Sequence, residues 1–153
     1  MIYILEGPDG SGKSSLAKRL AKQGGFKIVH RTRPKSNAEK LEMFNSYVEI
    51  AKSGEDIILD RAWYSEIVYG EIMRDDSSIS EKQMWELEML VIKNGGGMII
   101  YCTEDPDVLW ERCTRRGEDY ITDYETLRSI SFAYDALFYG VHHFLPVVVY
   151  KII

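Results

Sequence analysis

The chain has 153 residues and a formal net charge of −5, and 45% of its residues are hydrophobic. These values predict one globular domain with an ordinary core, and they argue against nucleic acid as the main partner, because a phosphate backbone requires a basic protein face. No apolar run reaches the roughly 18 residues that a membrane helix needs. The first predicted strand starts at residue 2, and Cys102 and Cys113 lack metal-ligand spacing. We therefore expect no signal peptide and a reducing, cytoplasmic location.

Strands and helices alternate along the sequence. Apolar runs predict strands at residues 2–6, 26–30, 56–60, 98–102 and 145–153. Apolar residues at helical spacing predict helices at about 14–23, 38–52, 65–73 and 81–93, from Pro106 onward, and at about 123–139. The first strand is interpreted as apolar on both faces, as in the centre of a parallel sheet. This alternation predicts a single α/β domain over residues 1–153, with a parallel sheet and helices on both of its faces.

Residues 7–14 read GPDGSGKS, which is the phosphate-loop pattern Gly-x-x-x-x-Gly-Lys-Ser between a strand and a helix. The glycines let successive N–H groups point into one concavity, and the following helix adds the partial positive charge of its N-terminus. We expect Lys13 to bridge the β- and γ-phosphates of a nucleoside triphosphate, and Ser14 to hold Mg²⁺. The predicted nucleotide-binding residues are Gly7, Asp9, Gly10, Ser11, Gly12, Lys13, Ser14 and Ser15. The alternative is a Gly/Ser turn that merely matches the pattern.

A second group of residues lies where the third predicted strand ends. Asp60 and Arg61 follow an apolar run, at the edge of the sheet where ligands bind in open α/β folds. An apolar strand that ends in Asp is typical of a carboxylate that organises Mg²⁺, and Arg61 can direct a planar fork of donors at a phosphate or carboxylate. The alternative interpretation is an ion pair at the end of a strand.

A third group consists of Arg112, Arg115 and Arg116, followed by Gly117. Phosphoryl transfer depends on positioning and on cations around the transferring group. A mobile segment that carries arginines can supply this charge and exclude water, so we predict a small lid at about residues 111–121. The alternative is a solvated helix end, where the helix dipole alone favours arginine.

These motifs resemble the thymidylate kinase family, whose wider kin are the nucleoside monophosphate kinases and deoxynucleoside kinases. The resemblance rests on GPDGSGKSS at 7–15, DRAWYSEIVYG at 60–70, RRGED at 115–119 and the helix that carries Tyr134, and it covers nearly the whole chain. It implies a phosphate-loop fold with a five-stranded parallel sheet. It also implies transfer of the γ-phosphoryl group of Mg·ATP to a deoxynucleoside monophosphate, and a homodimer formed through helices beside the sheet.

The resemblance implies roles for single residues on the acceptor side. Asp9 resembles the acidic residue that helps to place the sugar and phosphate of the acceptor. Arg61 is similar to the arginine that holds the acceptor phosphate, with Asp60 beside it near the metal. The positions that match contacts to sugar and base are Ser65, Glu66 and Tyr69.

Further positions match the donor side and a basic loop. Arg112 and Arg116 correspond to lid arginines over the donor phosphates, and with Lys13 they would stabilise charge on the transferring group. Arg31 or Arg33 resembles the arginine of the family's Arg-Glu-Pro loop, but the glutamate is missing here. Because a 5′-hydroxyl acceptor needs a base and a monophosphate needs cations, this loop favours a monophosphate.

The predicted base contacts depart from the family pattern. Ser36 and Lys40 stand where thymidylate kinases usually carry a stacking aromatic residue and an arginine. Phe44 or Tyr47, about a turn further on, is the candidate for stacking on the base. The predicted substrate contacts on this helix are therefore Phe44 and Lys40, which stands at the position of the arginine. Glu66 replaces a small or amide residue, and a carboxylate accepts hydrogen bonds from an amino-bearing base more readily than from thymine. The chain also ends near its last strand, before the adenine-contacting loop and closing helix of the family, as in a short, phage-type member.

Two other functions stay open. The first is a deoxynucleoside kinase that phosphorylates a 5′-hydroxyl, with Asp9 or Asp60 as the base. The second is a nucleotide-dependent switch protein without metabolic turnover, although the chain lacks the Asn-Lys-x-Asp motif that binds guanine in GTPases.

Overall fold

The centre of the fold is a sheet of parallel strands. A computed structural model describes residues 1–30, 36–74, 77–117, 121 and 123–152. The strands are β1 (Ile2–Glu6), β2 (Lys27–His30), β3 (Ile57–Asp60), β4 (Gly97–Cys102) and β5 (Val147–Tyr150). They lie in the order β2-β3-β1-β4-β5, and every pair is parallel. The predicted five-stranded parallel sheet is confirmed.

Six helices connect the strands over the described residues. They are α1 (Lys13–Gly24), α2 (Asn37–Lys52), α3 (Trp63–Arg74), α4 (Glu81–Lys93), α5 (Pro106–Arg116) and α6 (Tyr124–Gly140). The predicted helices are all present, with ends shifted by at most two residues. The last strand is shorter than the predicted 145–153, because the backbone N–H of Leu145 donates to the Glu88 carboxylate and not to the sheet.

Side chains of β1 alternate between two cores, one on each face of the sheet. Ile2 and Ile4 pack into the larger core with residues of α2, α3, α4 and α6. Leu5 points to the other face, where it packs with Leu16 and Ala17 of α1. A central parallel strand buries both faces in this way, so the helices on both sides are needed to exclude water.

The interpretation of residues 2–6 as apolar throughout is wrong at the end of the strand. Glu6 is fully buried, yet its side chain carries a carboxyl group. The backbone N–H of Ala62, just after β3, donates to Glu6 Oε1 at 2.7 Å. Such donors make the burial of a carboxylate tolerable in a position that otherwise favours apolar residues.

The turn after β1 requires glycine for a steric reason. Gly7 has φ of 152°, and a Cβ atom at this position would lie only 2.1 Å from the carbonyl oxygen of Cys102 at the end of β4. The chain therefore leaves the centre of the sheet by passing directly against a neighbouring strand.

No helix in the described part of the chain is both long and apolar enough to span a membrane. Cys102 and Cys113 are buried and are not joined in a disulfide, as expected from the sequence.

Candidate nucleotide-binding site

A cavity of about 610 Å³ lies at the carboxyl edge of the sheet. The phosphate loop, the ends of β2 and β3 and the end of α5 surround it. Its lining residues are Asp9, Gly10, Gly12, Lys13, Ser14, Ser15, His30, Asp60, Arg61 and Arg116. The structure thus brings residues from all three predicted groups to one cavity.

The N-terminus of α1 faces this cavity. Gly12 precedes the helix in the left-handed region, with φ of 89°, and no described side chain caps the first turn. The first backbone N–H groups of α1 therefore remain available to an anion, and the helix dipole favours a negative charge there.

Lys13 is buried beside the loop that it serves. Its Nζ donates hydrogen bonds to the carbonyl oxygen of Pro8 at 2.9 Å and to Ser11 Oγ at 3.3 Å. Burial, and then the positive charge of Arg61, lower the pKa of Lys13 to about 8. An anion in the cavity would oppose both effects and favour the charged ammonium.

The two predicted metal ligands lie together. Ser14 Oγ donates to Asp60 Oδ2 at 3.0 Å, and His30 Nδ1 lies 3.0 Å from the same oxygen. No group of three or more His, Cys, Asp or Glu side chains that could hold a metal ion by themselves is found among the described residues. Mg²⁺ typically binds one or two protein oxygens and completes its shell with phosphates and water, so the Ser14–Asp60 pair fits this ion.

Arg61 is held in an unusual backbone conformation. Its φ is 70°, and among the described residues it is the one non-glycine residue with a positive φ. A residue in this region costs about 1–3 kcal/mol and persists only where the surroundings determine it. Such strain is found most often at functional sites, and Arg61 lines the cavity.

The guanidinium of Arg61 makes five hydrogen bonds to described residues. Nη2 donates to Asp9 Oδ1 at 2.7 Å and to the Tyr69 hydroxyl at 3.3 Å. Nη1 donates to the Gly7 carbonyl oxygen at 3.1 Å, Ser65 Oγ at 3.0 Å and the Tyr134 hydroxyl at 3.1 Å. The side chain is still 21% exposed and lines the cavity. The phosphate loop, α3 and α6 are therefore joined through one cation.

The two predicted lid arginines differ in their surroundings. Arg112 Nη1 donates to the Gly10 carbonyl oxygen at 3.0 Å, and its Nη2 lies 3.6 Å from Glu104. Arg116 lines the cavity. By contrast, Arg115 pairs with Glu111 on the surface and is 71% exposed. Residues 118–120 of the predicted lid lie outside the described residues.

Other predicted substrate contacts are not among the residues that line the cavity. The Glu66 carboxylate is buried and accepts a hydrogen bond from Arg74 at 2.8 Å. Phe44 of α2 packs against the larger core, and Lys40 lies on the same helix without lining the cavity. Arg31 and Arg33 lie outside the described residues.

Sequence reasoning missed three side chains that the structure brings to this region. His30 lines the cavity, Tyr134 accepts a hydrogen bond from Arg61, and Glu6 contacts two partners of Arg61, Ser65 and Tyr134. The one available signal was Glu6 itself, a charged residue at the end of an otherwise apolar strand. The resemblance indicates only the helix that carries Tyr134.

No protein-family model matches the chain. The SPbeta prophage-derived uncharacterized protein YorR of Bacillus subtilis strain 168 is 33% identical over 124 residues, which cover 78% of this chain and 72% of YorR. A provisionally named thymidylate kinase of Acidianus bottle-shaped virus is 40% identical over 73 residues, or 45% of this chain and 47% of the viral protein.

Solved structures show the same relationship. YorR, crystallised in complex with phosphorylated GDP, superposes with a TM-score of 0.82 at 26% identity, over 99% of this chain and 85% of YorR. The deoxyadenosine kinase of M. mycoides with bound dCTP shares the fold, with a TM-score of 0.64 at 16% identity over 99% of this chain and 90% of the kinase.

The sheet order, the phosphate loop and these likenesses define a phosphate-loop protein with a nucleotide-kinase fold. They support a phosphotransferase that binds a nucleotide. Within this class, the chain belongs to the YorR family.

Proposed function

We propose that the protein is a deoxynucleoside monophosphate kinase, similar to thymidylate kinases. The γ-phosphoryl group of Mg·ATP moves to a phosphate oxygen of the acceptor, and ADP leaves with the bridging oxygen. The products are ADP and a deoxynucleoside diphosphate. Because this reaction requires little covalent work from protein groups, positioning and positive charge carry the catalysis.

The observation that carries this proposal is the pairing of charges around the cavity. Among the described residues that line the cavity, both carboxylates are already bonded to donors, Asp9 to Arg61 and Asp60 to Ser14. A hydroxyl acceptor needs a base for its proton, whereas a monophosphate is already an anion and needs cations. The cationic side chains that line the same cavity are Lys13, Arg61 and Arg116.

The donor would bind on the phosphate-loop side. The N-terminus of α1 and the Lys13 ammonium would hold the phosphates, and Ser14 and Asp60 would hold Mg²⁺ with them. When bound, Mg²⁺ neutralises charge on the β- and γ-phosphates. Arg116 would approach the phosphates from the end of α5, with Arg112 behind it, and this segment would act as the lid.

The acceptor would bind on the side of Asp9 and Arg61. Ser65 and Tyr69 lie four residues apart on one face of α3 and both bond to Arg61, so this face would contact the sugar and phosphate. The complex of YorR with phosphorylated GDP supports a phosphorylated nucleotide as the ligand and adds guanine to the bases to be tested.

A deoxynucleoside kinase is the second candidate. The Asp9 carboxylate lines the cavity and is oriented by two hydrogen bonds, from Arg61 and from the Tyr69 hydroxyl. An oriented carboxylate is the group that a 5′-hydroxyl acceptor would require. The acceptor that supports ADP production, a monophosphate or a nucleoside, separates the two candidates. A pure switch protein would turn over neither acceptor.

ADP production from Mg·ATP tests the proposal directly. The acceptors are dTMP, dUMP, dCMP, dGMP, dAMP and modified pyrimidine monophosphates, each beside its matching nucleoside. We expect turnover with a monophosphate and none with nucleosides. Turnover with nucleosides alone would replace the proposal with the second candidate. If no acceptor supports ADP production while ATP still binds, a switch protein or a macromolecular acceptor would be favoured.

The variant Arg61→Ala tests the site. Loss of a charge-assisted contact should reduce kcat/KM for the acceptor by about 100-fold, while ATP affinity is largely kept. Arg128→Ala is the control, because Arg128 is a partly exposed arginine of α6 that pairs with Glu125. An equal effect of both variants would contradict the assignment of Arg61.

A homodimer is also proposed from the family resemblance. The sequence offers a helical segment rich in Met and aromatic residues, now part of α4, for such an interface: Met84 is buried in the core, whereas Met89 is exposed beside Trp85. Sedimentation equilibrium measures the state directly.

A further inference from the structure

Glu6 is a fully buried carboxylate in which both oxygens are satisfied. Oε1 accepts hydrogen bonds from the backbone N–H of Ala62 at 2.7 Å and of Ser65 at 3.1 Å. Oε2 accepts from Ser65 Oγ at 2.5 Å and from the Tyr134 hydroxyl at 3.0 Å. A carboxyl group without donors would be costly at this depth, so the four bonds explain how the sheet tolerates it.

The two backbone bonds cap α3 from a distant strand. The helix begins at Trp63, so Ala62 occupies the N-cap position and Ser65 the third helical position. In a capping box, side chains at these two positions accept each other's backbone N–H groups. Alanine has no acceptor, and Glu6 of β1 accepts both N–H groups in its place. The helix dipole also favours a negative charge at this end.

The same bonds hold the backbone on both sides of Arg61. The N–H of Arg61 donates to the Leu5 carbonyl oxygen at 3.0 Å, and the next N–H, of Ala62, donates to Glu6. Leu5 and Glu6, adjacent in β1, therefore hold the peptide groups on both sides of the Arg61 Cα atom and restrict its backbone dihedral angles. A left-handed residue persists where its surroundings determine it in this way.

The side-chain bonds link Glu6 to the guanidinium through two hydroxyls. Ser65 and Tyr134 each accept a hydrogen bond from Arg61 Nη1 and donate one to Glu6 Oε2. Each hydroxyl has one hydrogen to donate, so both directions are compatible only if Oε2 is an acceptor. An ionised carboxylate accepts at both oxygens; burial raises the pKa of Glu6, and Arg61 and the hydrogen bonds from Ser65 and Ala62 oppose that rise.

We propose that Glu6 is a positioning residue for Arg61. The Glu6 carboxylate holds the left-handed turn at Arg61 and the start of α3. It thereby positions the Arg61 guanidinium at the cavity, where the guanidinium bonds to Asp9 and Tyr69. The role of Arg61 in acceptor binding rests on the proposed function, whereas the placement of Arg61 by Glu6 does not.

The variant Glu6→Gln tests this role with little change in shape. The amide keeps one acceptor oxygen but presents N–H donors to groups that must also donate. Glu88→Gln is a matched control, because Glu88 is equally buried, lies far along the chain in α4, and also has four partners. These are the N–H groups of Phe144 and Leu145, the Tyr64 hydroxyl and the His143 ring.

Both variants should lower the urea midpoint of unfolding, because each loses bonds to a buried carboxylate. Under conditions where both stay folded, only Glu6→Gln should reduce kcat/KM for the acceptor, by about 100-fold, as expected for a misplaced binding group. The dissociation constant for a fluorescent ATP analogue should change less than about threefold. Unchanged acceptor kinetics in Glu6→Gln, or an equal loss in Glu88→Gln, would overturn the inference.

Two measurements keep the test decisive if activity or folding fails. If the wild-type protein turns over no acceptor, the proposed function fails, and crystal structures of the two variants decide the inference instead. Retention of a positive φ at Arg61 in Glu6→Gln would then overturn it. If Glu6→Gln does not fold, Tyr134→Phe removes one shared hydroxyl, and an acceptor KM equal to that of the wild-type protein would count against the inference.

Discussion

Lys13→Met should stabilise the nucleotide-free protein while abolishing nucleotide binding. Lys13 is a buried ammonium whose Nζ has two uncharged partners, the Pro8 carbonyl oxygen and Ser11 Oγ. Burial and the nearby Arg61 lower its pKa from 10.5 to about 8. The folded protein must therefore carry a charge at neutral pH that the unfolded chain carries without cost.

The magnitude follows from this difference in pKa. A gap of 2.5 pH units at about 1.36 kcal/mol each gives about 3 kcal/mol of destabilisation at neutral pH. Removing the hydrogen bond to Pro8 costs about 1 kcal/mol, so Lys13→Met should gain about 2 kcal/mol. The gain is complete below about pH 8 and closes between about pH 8 and 10.5, where folded Lys13 is already neutral but unfolded Lys13 is still charged.

Urea unfolding in phosphate-free buffer measures this effect, because a bound anion would stabilise the wild-type protein. The two proteins are compared at several values from about pH 7 to about pH 10, and their difference removes the contribution of groups that both share. Lys18→Met, an exposed lysine of the same helix, controls for the change in composition. A Lys13→Met protein less stable than wild type near neutral pH, or a gap that does not vary with pH, would refute the reasoning.

Three further predictions concern stability. Burial lowers the pKa of His143, but hydrogen bonds to Glu88 and to a backbone carbonyl outweigh it and hold the pKa above 6.5. Its stabilising contribution is complete below about pH 6.5 and is lost as the pH rises through the raised value, so urea titrations of His143→Gln should lack this loss. Gly7→Ala should cost more than about 3 kcal/mol in urea unfolding, because its Cβ would meet the Cys102 carbonyl oxygen at 2.1 Å; a cost below about 1 kcal/mol would contradict the steric argument. Ser80→Ala removes one bond of the capping box of α4 and should lower the thermal midpoint by an amount equivalent to about 1 kcal/mol; an unchanged midpoint would show that the cap contributes nothing.

Motifs made of adjacent residues could be predicted from the sequence. The phosphate loop and the Asp60-Arg61 pair are local patterns, and alternation of apolar runs with helical spacing predicted the strands and helices. The role of Glu6 could not be predicted in this way. Its partners Ser65 and Tyr134 are 59 and 128 residues away, so their proximity depends on how the strands pair.

The prediction for Glu66 illustrates a different limit. The family resemblance implies one role, contact with sugar and base, for Ser65, Glu66 and Tyr69 alike. In α3, however, Ser65 and Tyr69 are four residues apart and share a face, whereas Glu66 is rotated by about 100° from Ser65. The Glu66 carboxylate is buried and accepts a hydrogen bond from Arg74, eight residues later in the same helix.

The position of β1 in the sheet has a consequence for how the chain is synthesised. Ile2 pairs with Ile57 of β3 and Gly97 of β4. The strand that is synthesised first therefore pairs only with strands that are synthesised later. At about 5–20 residues per second, β4 leaves the ribosome about 5–20 s after β1. Until β4 emerges, β1 lacks one of its two neighbouring strands, and the phosphate loop has no Cys102 backbone to pack against. The nucleotide-binding cavity is therefore incomplete until β4 has emerged, so a ligand of the phosphate loop has no finished site during the early steps of folding.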